Sequence, residues 1–107
     1  MSKMTTIIAR AFRGVADDQH RLALMYKLGQ CRDGVLIQQD LGQAAWWYRK
    51  AAEQGFAVAQ FSLGAMYFNG EGVPHDDEQA VAWFRKAADQ GHAFAQLNLE
   101  RIYEETT

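Results

Sequence analysis

AAWWYRKAAEQG at residues 44–55 and AVAWFRKAADQG at residues 80–91 are two copies of one pattern, and they decide the fold. Trp83 follows Trp47 by 36 residues, and the two closing glycines, Gly55 and Gly91, keep the same step. In each copy the apolar residues recur at i, i+3, i+4, i+7 and i+8, which is the spacing of one face of an α-helix. A step of this size predicts an array of stacked helical units.

The ends of these two helices are also marked in the sequence. Asp40 and Asp76 stand where an N-cap is needed, and each is followed three residues later by a glutamine, as in a capping box. Gly55 and Gly91 supply the left-handed conformation that a helix C-terminus often adopts. The sequence therefore predicts two helices of equal length with matching caps.

A second type of helix lies between and around these copies. AVAQFSLGAMYFNG at residues 57–70 returns 36 residues later as AFAQLNLERIY, and a step of 41 recovers an earlier copy at residues 16–29. The five extra residues fall in the connection GQCRDGVLIQQ, which we expect to be an enlarged and mobile loop between residues 30 and 38. The repeating unit is thus a helical hairpin, present as two full copies and a half.

These motifs resemble the Sel-one-like repeat (SLR) family, a relative of the tetratricopeptide repeat. The family pattern A-x-A-Q-x-x-L-G-x-x-Y-x-x-G-x-G-V-x-x-D, followed by A-x-x-W-x-x-x-A-A-x-x-G, is matched throughout residues 57–91. The resemblance implies an all-α, right-handed α-solenoid of two full hairpin repeats, a half repeat and an N-terminal helix. It also implies a protein that binds other proteins or peptides.

We expect one domain over residues 1–107, because this length suits a single core. Its parts are an N-terminal cap at 1–14, repeat 1 at 15–55, repeat 2 at 56–91 and a C-terminal capping helix at 92–107. The cap at the C-terminal end is indicated by Glu100, which replaces the small residue Gly64 of the preceding copy. Thr6 stands where the N-terminal copy would carry its tryptophan.

Composition and charge narrow the classes of partner. The chain is 49% hydrophobic and 22% charged, as in ordinary globular proteins, and its net charge is −2. Without excess positive charge, nucleic acid is not an expected partner. No segment has the length of a membrane span, so no membrane partner is expected either. A single cysteine, Cys31, fits a reducing compartment, and we expect a cytoplasmic protein.

Residues that could carry chemistry are isolated from one another. His20, His75 and His92 lack the paired spacing of metal ligands. The carboxylates at residues 76–78 are better explained as the negatively charged first turn of a helix. Cys31 has Arg32 beside it but no histidine close in sequence, so a plain loop thiol is expected. The sequence predicts no catalytic residue, no metal or cofactor, and no enzyme.

Function is expected on the concave side, where the tetratricopeptide-like register places the outward positions of the first helix of each hairpin. An apolar stripe there exceeds what the repeat requires, which favours a partner-binding groove, with a homodimer interface and plain core as the alternatives. The leading function is a protein- or peptide-binding adaptor, and the alternative is a regulator that inhibits an enzyme or toxin by capping it. Trp46, whose counterpart is Ala82, packs under the enlarged loop or forms a second contact on the convex side. The candidate groove residues are His20, Leu24, Leu28, Val58, Phe61, Phe68, Phe94 and Leu97.

Overall fold

The computed structural model describes residues 3–32 and 34–106. Within these residues six helices follow one another, and each packs on the next to form an elongated solenoid of 52 × 24 × 17 Å. The predicted all-α solenoid is confirmed. The bounds of the helices and strands are α1 Lys3–Phe12, α2 Ala16–Leu28, β1 Gln30–Arg32, β2 Val35–Ile37, α3 Leu41–Glu53, α4 Ala57–Asn69, α5 Asp77–Asp89 and α6 Ala93–Thr106. We call α2, α4 and α6 the first helices and α1, α3 and α5 the second helices.

The predicted helix caps are present in both full repeats. The Asp40 carboxylate accepts a hydrogen bond from the Gln43 backbone N–H at 3.0 Å, and Asp76 does the same for its own helix. Each bond satisfies a donor that the first turn of a helix leaves without a partner. Gly55 and Gly91 follow the helices at φ 88°, a left-handed conformation that glycine adopts without strain.

The core runs along the solenoid and is built from the repeated residues. Trp47 and Trp83 are buried, with 4% and 7% of their surface exposed. Gly64 allows α4 and α5 to approach closely, because a Cβ atom there would lie 2.8 Å from the Phe84 ring. The repeat is therefore a packing frame, as the sequence predicted. The other fully buried large side chains are Tyr48, Leu22, Leu63, Met66 and Asp18.

Glutamine side chains join successive hairpins by hydrogen bonds. Each first helix carries one glutamine whose side-chain amide donates to a carbonyl eight residues earlier, at the end of the preceding second helix. Gln54 and Gln90, which follow the second helices, donate in turn to the glutamine oxygens of the helix before. Each of these carbonyls also accepts the backbone N–H of the glycine three residues later. The glutamine therefore fills the second acceptor position of a carbonyl oxygen at the helix end and holds the next first helix against it. The bonds are Gln19–Ala11 at 3.2 Å, Gln60–Ala52 at 3.2 Å, Gln96–Ala88 at 3.2 Å, Gln54–Gln19 at 2.8 Å and Gln90–Gln60 at 2.9 Å.

The enlarged connection differs from the expected loop. Its residues form an antiparallel hairpin in which Cys31 is paired with Leu36, and Gly34 in the turn has φ 76°. The connection returns to the frame where Asp40 N donates to Tyr26 O at 2.8 Å, matching the bond between residues 76 and 67 in the second repeat. The two strands, 30–32 and 35–37, pair because the Val-Leu-Ile run favours β-structure. The Cys31 side chain lies outside what the structure describes.

An ion pair in the N-terminal layer occupies two positions that hold alanines in the next layer. Arg10 Nε lies 3.0 Å from a carboxylate oxygen of Asp18, whose side chain is 3% exposed. One step of 41 residues onward, the same two positions hold Ala51 and Ala59, both fully buried. The pair therefore stands where the rest of the solenoid uses two small side chains.

Candidate functional site

Six of the eight predicted groove residues are exposed side chains on the first helices. Phe94 shows 67% of its surface, Leu28 55%, and the others about two fifths. Exposed apolar residues on helices whose repeated residues are buried form a surface that the frame does not require. The six are Leu24 and Leu28 on α2, Val58 and Phe68 on α4, and Phe94 and Leu97 on α6.

Phe61, the seventh groove residue, is half-buried between hairpins. Its ring centroid lies 4.7 Å from His92 in a stacked arrangement and 5.7 Å from the buried Phe84. The exposed Phe94 ring adjoins it at 6.3 Å. Phe61 therefore lies between the core and the exposed ring of Phe94. Part of its surface belongs to the core, which was one of the alternatives to a binding groove.

His20 occupies the corresponding position in the first repeat. Its ring lies 5.5 Å from Tyr48 and 5.6 Å from Phe56. In the second repeat a phenylalanine on the first helix packs against a histidine that precedes the next helix, whereas here the histidine is on the helix and the phenylalanine precedes the next one. Burial lowers the pKa of His20, while the nearby Asp17 carboxylate opposes that shift and Arg21 adds to it. A neutral ring in this position serves packing and is poorly placed for a charged contact with a partner.

The two exposed groove residues on α4 lie near opposite ends of that helix. Val58 and Phe68 are separated by ten residues, or about 15 Å along a helix axis. Phe68 lines a cleft of about 280 Å³ between α4 and α6, and the charged side chains of Arg101 and Glu105 line its opposite wall. A partner that contacted both ends would have to span at least this distance. The remaining lining residues of the cleft are Ala65, Asn69, Phe84, Asn98 and Ile102.

Trp46 lies on the second helix α3, and 49% of its surface is exposed. Its ring meets that of the buried Trp47 edge-on at 4.7 Å, and Phe12 meets Trp47 in the same way at 4.9 Å. The structure therefore places Trp46 beside the end of α1. Lys50 covers one side of Trp46, with its ammonium 4.9 Å from the ring centroid.

Two features of these surfaces were not predicted from the sequence. Phe12 is 72% exposed next to Trp46. The equivalent position one repeat later holds the acidic residue Glu53, and this could have indicated that the position faces solvent. Arg49 on α3 donates to the Tyr67 hydroxyl on α4, and Arg85 donates to Tyr103 in the next layer. The equal spacing of these two pairs in the sequence was the available signal.

The part of the chain that the structure describes holds neither a cluster of metal ligands nor a membrane-spanning helix. In residues 3–32 and 34–106, no three His, Cys, Asp or Glu side chains lie in a group able to hold a metal ion. None of the helices within these ranges combines the length and the apolar character that a transmembrane segment needs.

Comparisons with known protein families and solved structures agree with the repeat family that the sequence motifs indicated. A family model described as the Sel1 repeat matches residues 16–56 and 57–92. The chain is similar to a protective antigen of uropathogenic Escherichia coli with an SLR fold, at 40% identity and a TM-score of 0.87 over 100% of this chain. It spans 22% of that protein's solved chain. No curated protein sequence matches.

Two further solved structures share the fold over most of the chain. A Sel1 repeat protein from Oxalobacter formigenes is 35% identical with a TM-score of 0.83, covering 89% of this chain and 68% of that one. Cysteine rich protein B of Helicobacter pylori is 25% identical with a TM-score of 0.78, covering 86% and 65%.

Proposed function

The chain belongs to the Sel1 repeat family, and we propose that it is a non-catalytic adaptor that binds a protein or peptide along the groove residues. Proteins of this family are generally scaffolds for protein interaction. The proposal places the interaction in the cytoplasm, because a single cysteine is typical of a reducing compartment.

The observation that carries the proposal is the exposure of apolar side chains that the repeat does not use. Val58 and Phe94 occupy equivalent positions on α4 and α6, and both are exposed, at 43% and 67%. The same position in the first repeat holds the charged Asp17, so the frame tolerates a carboxylate there. Apolar residues at such a position favour contact with an apolar partner, since the fold itself gains little from them.

The test places a carboxylate at each of the two positions. Val58→Glu and Phe94→Glu should melt within a few degrees of the unaltered protein, because both side chains face solvent and surface changes usually cost under about 0.5 kcal/mol. Both should lose a partner that affinity purification with cross-linking mass spectrometry recovers from cells, because a carboxylate disfavours an apolar contact. Ala82→Glu, on the exposed side of α5, is the matched control and should retain the partner.

The remaining outcomes separate the alternatives. If both variants unfold, the two residues belong to the core and the groove proposal fails. If light scattering shows a dimer that both variants lose, the groove is a homodimer interface instead. If the recovered partner is an enzyme whose activity falls on binding, the protein acts as an inhibitor and not as an adaptor.

A further inference from the structure

Phe12 and Trp46 form an exposed aromatic ridge that the repeat frame does not explain. Trp46 stands where the second repeat has Ala82, and Phe12 stands where the next second helix has Glu53. Both rings nevertheless meet the same buried ring, that of Trp47, at 4.9 Å and 4.7 Å. Two large apolar side chains at positions where other copies have a small or an acidic residue are candidates for binding.

The ridge separates two clefts of different charge. The larger, of about 590 Å³, is walled by aromatic rings, and Asp40 is the charged side chain among the residues that line it. Lys50 instead lines the smaller cleft, on the other side of the ridge. A ligand in the larger cleft would thus meet aromatic faces and one carboxylate. The lining residues of the larger cleft are Phe12, Tyr26, Asp40, Gly42, Gln43, Trp46 and Trp47.

Two tryptophan rings of this protein, one of them in the ridge, each have a lysine ammonium over the ring. The Lys50 ammonium lies 4.9 Å from the centroid of the Trp46 ring, and Lys86 lies 4.6 Å from Trp83 in the second repeat. Both distances are within the range in which the electron-rich face of an indole attracts a positive charge. In the larger cleft the aromatic wall is joined by the Asp40 carboxylate. Its Oδ1 accepts the capping bond from Gln43 N–H, and its other oxygen, which is not part of that bond, supplies the negative charge for a cation.

We propose that the larger cleft binds a lysine or arginine side chain from an extended basic segment of a partner protein. The aliphatic part of that side chain would lie against Phe12 and Trp46, and its charged end would face Asp40. The Gln43 side-chain amide at the same rim offers a donor and an acceptor for the partner's backbone. This site is separate from the groove residues on the first helices, so either proposal can fail without the other.

The test is a titration of the full chain, labelled with ¹⁵N, with the peptide acetyl-Gly-Lys-Gly-Lys-Gly-amide. We expect saturable shifts of the Trp46 indole N–H and of the Gly42 and Gln43 amides at millimolar peptide, weakening as salt is added. The same peptide with glutamate in place of lysine should produce no such shifts.

Two variants assign the binding to the ridge. Trp46→Ala recreates the residue of the second repeat and should weaken binding about fivefold to tenfold through loss of the aromatic face. Asp40→Asn removes the charge while asparagine still caps α3, and it should weaken binding about twofold to fivefold. Asp76→Asn makes the same change at the cap of α5, which lies outside the ridge, and should leave binding unchanged.

Several results would overturn the proposal. Equal binding of the glutamate peptide, or no saturable shift with the lysine peptide, would show that the cleft does not select a cation. Unchanged binding in Trp46→Ala would place the contact elsewhere. Concentration-dependent dimerisation that Trp46→Ala abolishes would make the ridge an interface between copies of this chain.

Discussion

Trp47→Ala should destabilise the fold by about 3–5 kcal/mol, whereas Trp46→Ala, one residue earlier, should cost no more than about 1 kcal/mol. Trp47 is 4% exposed, and removing its ring would leave a cavity in the core that stacking cannot close. Trp46 is half exposed, and alanine already occupies its position in the second repeat. Because small domains are stable by only about 5–15 kcal/mol, the first change should lower the melting temperature strongly.

Equilibrium unfolding in urea followed by circular dichroism measures both variants in the same way. Trp83→Ala is a second example of the frame tryptophan, and it should resemble Trp47→Ala because its ring is 7% exposed. Similar losses for the two neighbouring tryptophans, or a negligible loss for the buried one, would contradict the division between frame and surface.

Arg10→Ala should destabilise the protein by about 1–3 kcal/mol, and adding Asp18→Ala should recover most of that loss. The single change leaves the buried Asp18 carboxylate without the guanidinium that now lies 3.0 Å away. Breaking a buried ion pair is costly, but Arg10 is 54% exposed, so water reduces the effect. The double variant puts alanines at both positions, as the next layer has at Ala51 and Ala59, and it removes the buried charge together with its partner, which avoids the cost of an unpaired carboxylate.

A double-mutant cycle on unfolding free energies checks this expectation. The coupling between the two positions should be about 1–2 kcal/mol, as is usual for residues in one ion pair. Simple additivity of the two losses would show that Asp18 is stabilised by something other than Arg10.

Most of the frame was predictable because it occurs twice. The tryptophans, the aspartate caps and the closing glycines each have a counterpart 36 residues away, so their roles could be compared within the sequence itself. The paired strands at residues 30–32 and 35–37 could not be found in this way, because the shorter connection of the second repeat has no strands to compare with them. The Arg10–Asp18 pair was missed for a similar reason. In the next repeat the two equivalent positions, eight residues apart, both hold alanine, so comparison of the repeats gives no sign that these residues interact.

The candidate site was predicted less completely. Helical spacing correctly placed Val58 and Phe94 on an exposed face. It did not show that His20 and Phe61 would be half-buried, because each is covered by one ring from the following second helix and by one ring, Phe56 or His92, that precedes the next first helix. The direction of a ring that precedes a helix depends on how the chain enters that helix, and helical periodicity does not describe this entry. The Phe12–Trp46 ridge depends on contact between two different helices, and a single sequence does not encode that contact in its spacing.

The central claim is that a partner contacts the exposed groove residues, and site-specific photo-cross-linking tests it most directly. A photoreactive p-benzoylphenylalanine replaces Phe94 in one variant and Glu53, exposed on the second helix α3, in another. Irradiation of cells producing each variant, followed by mass spectrometry of the adducts, shows which surface a partner touches. We predict one distinct polypeptide joined to position 94 and none joined to position 53. No adduct at position 94, the same adduct at both positions, or an adduct with a second copy of this chain would contradict the proposed adaptor function.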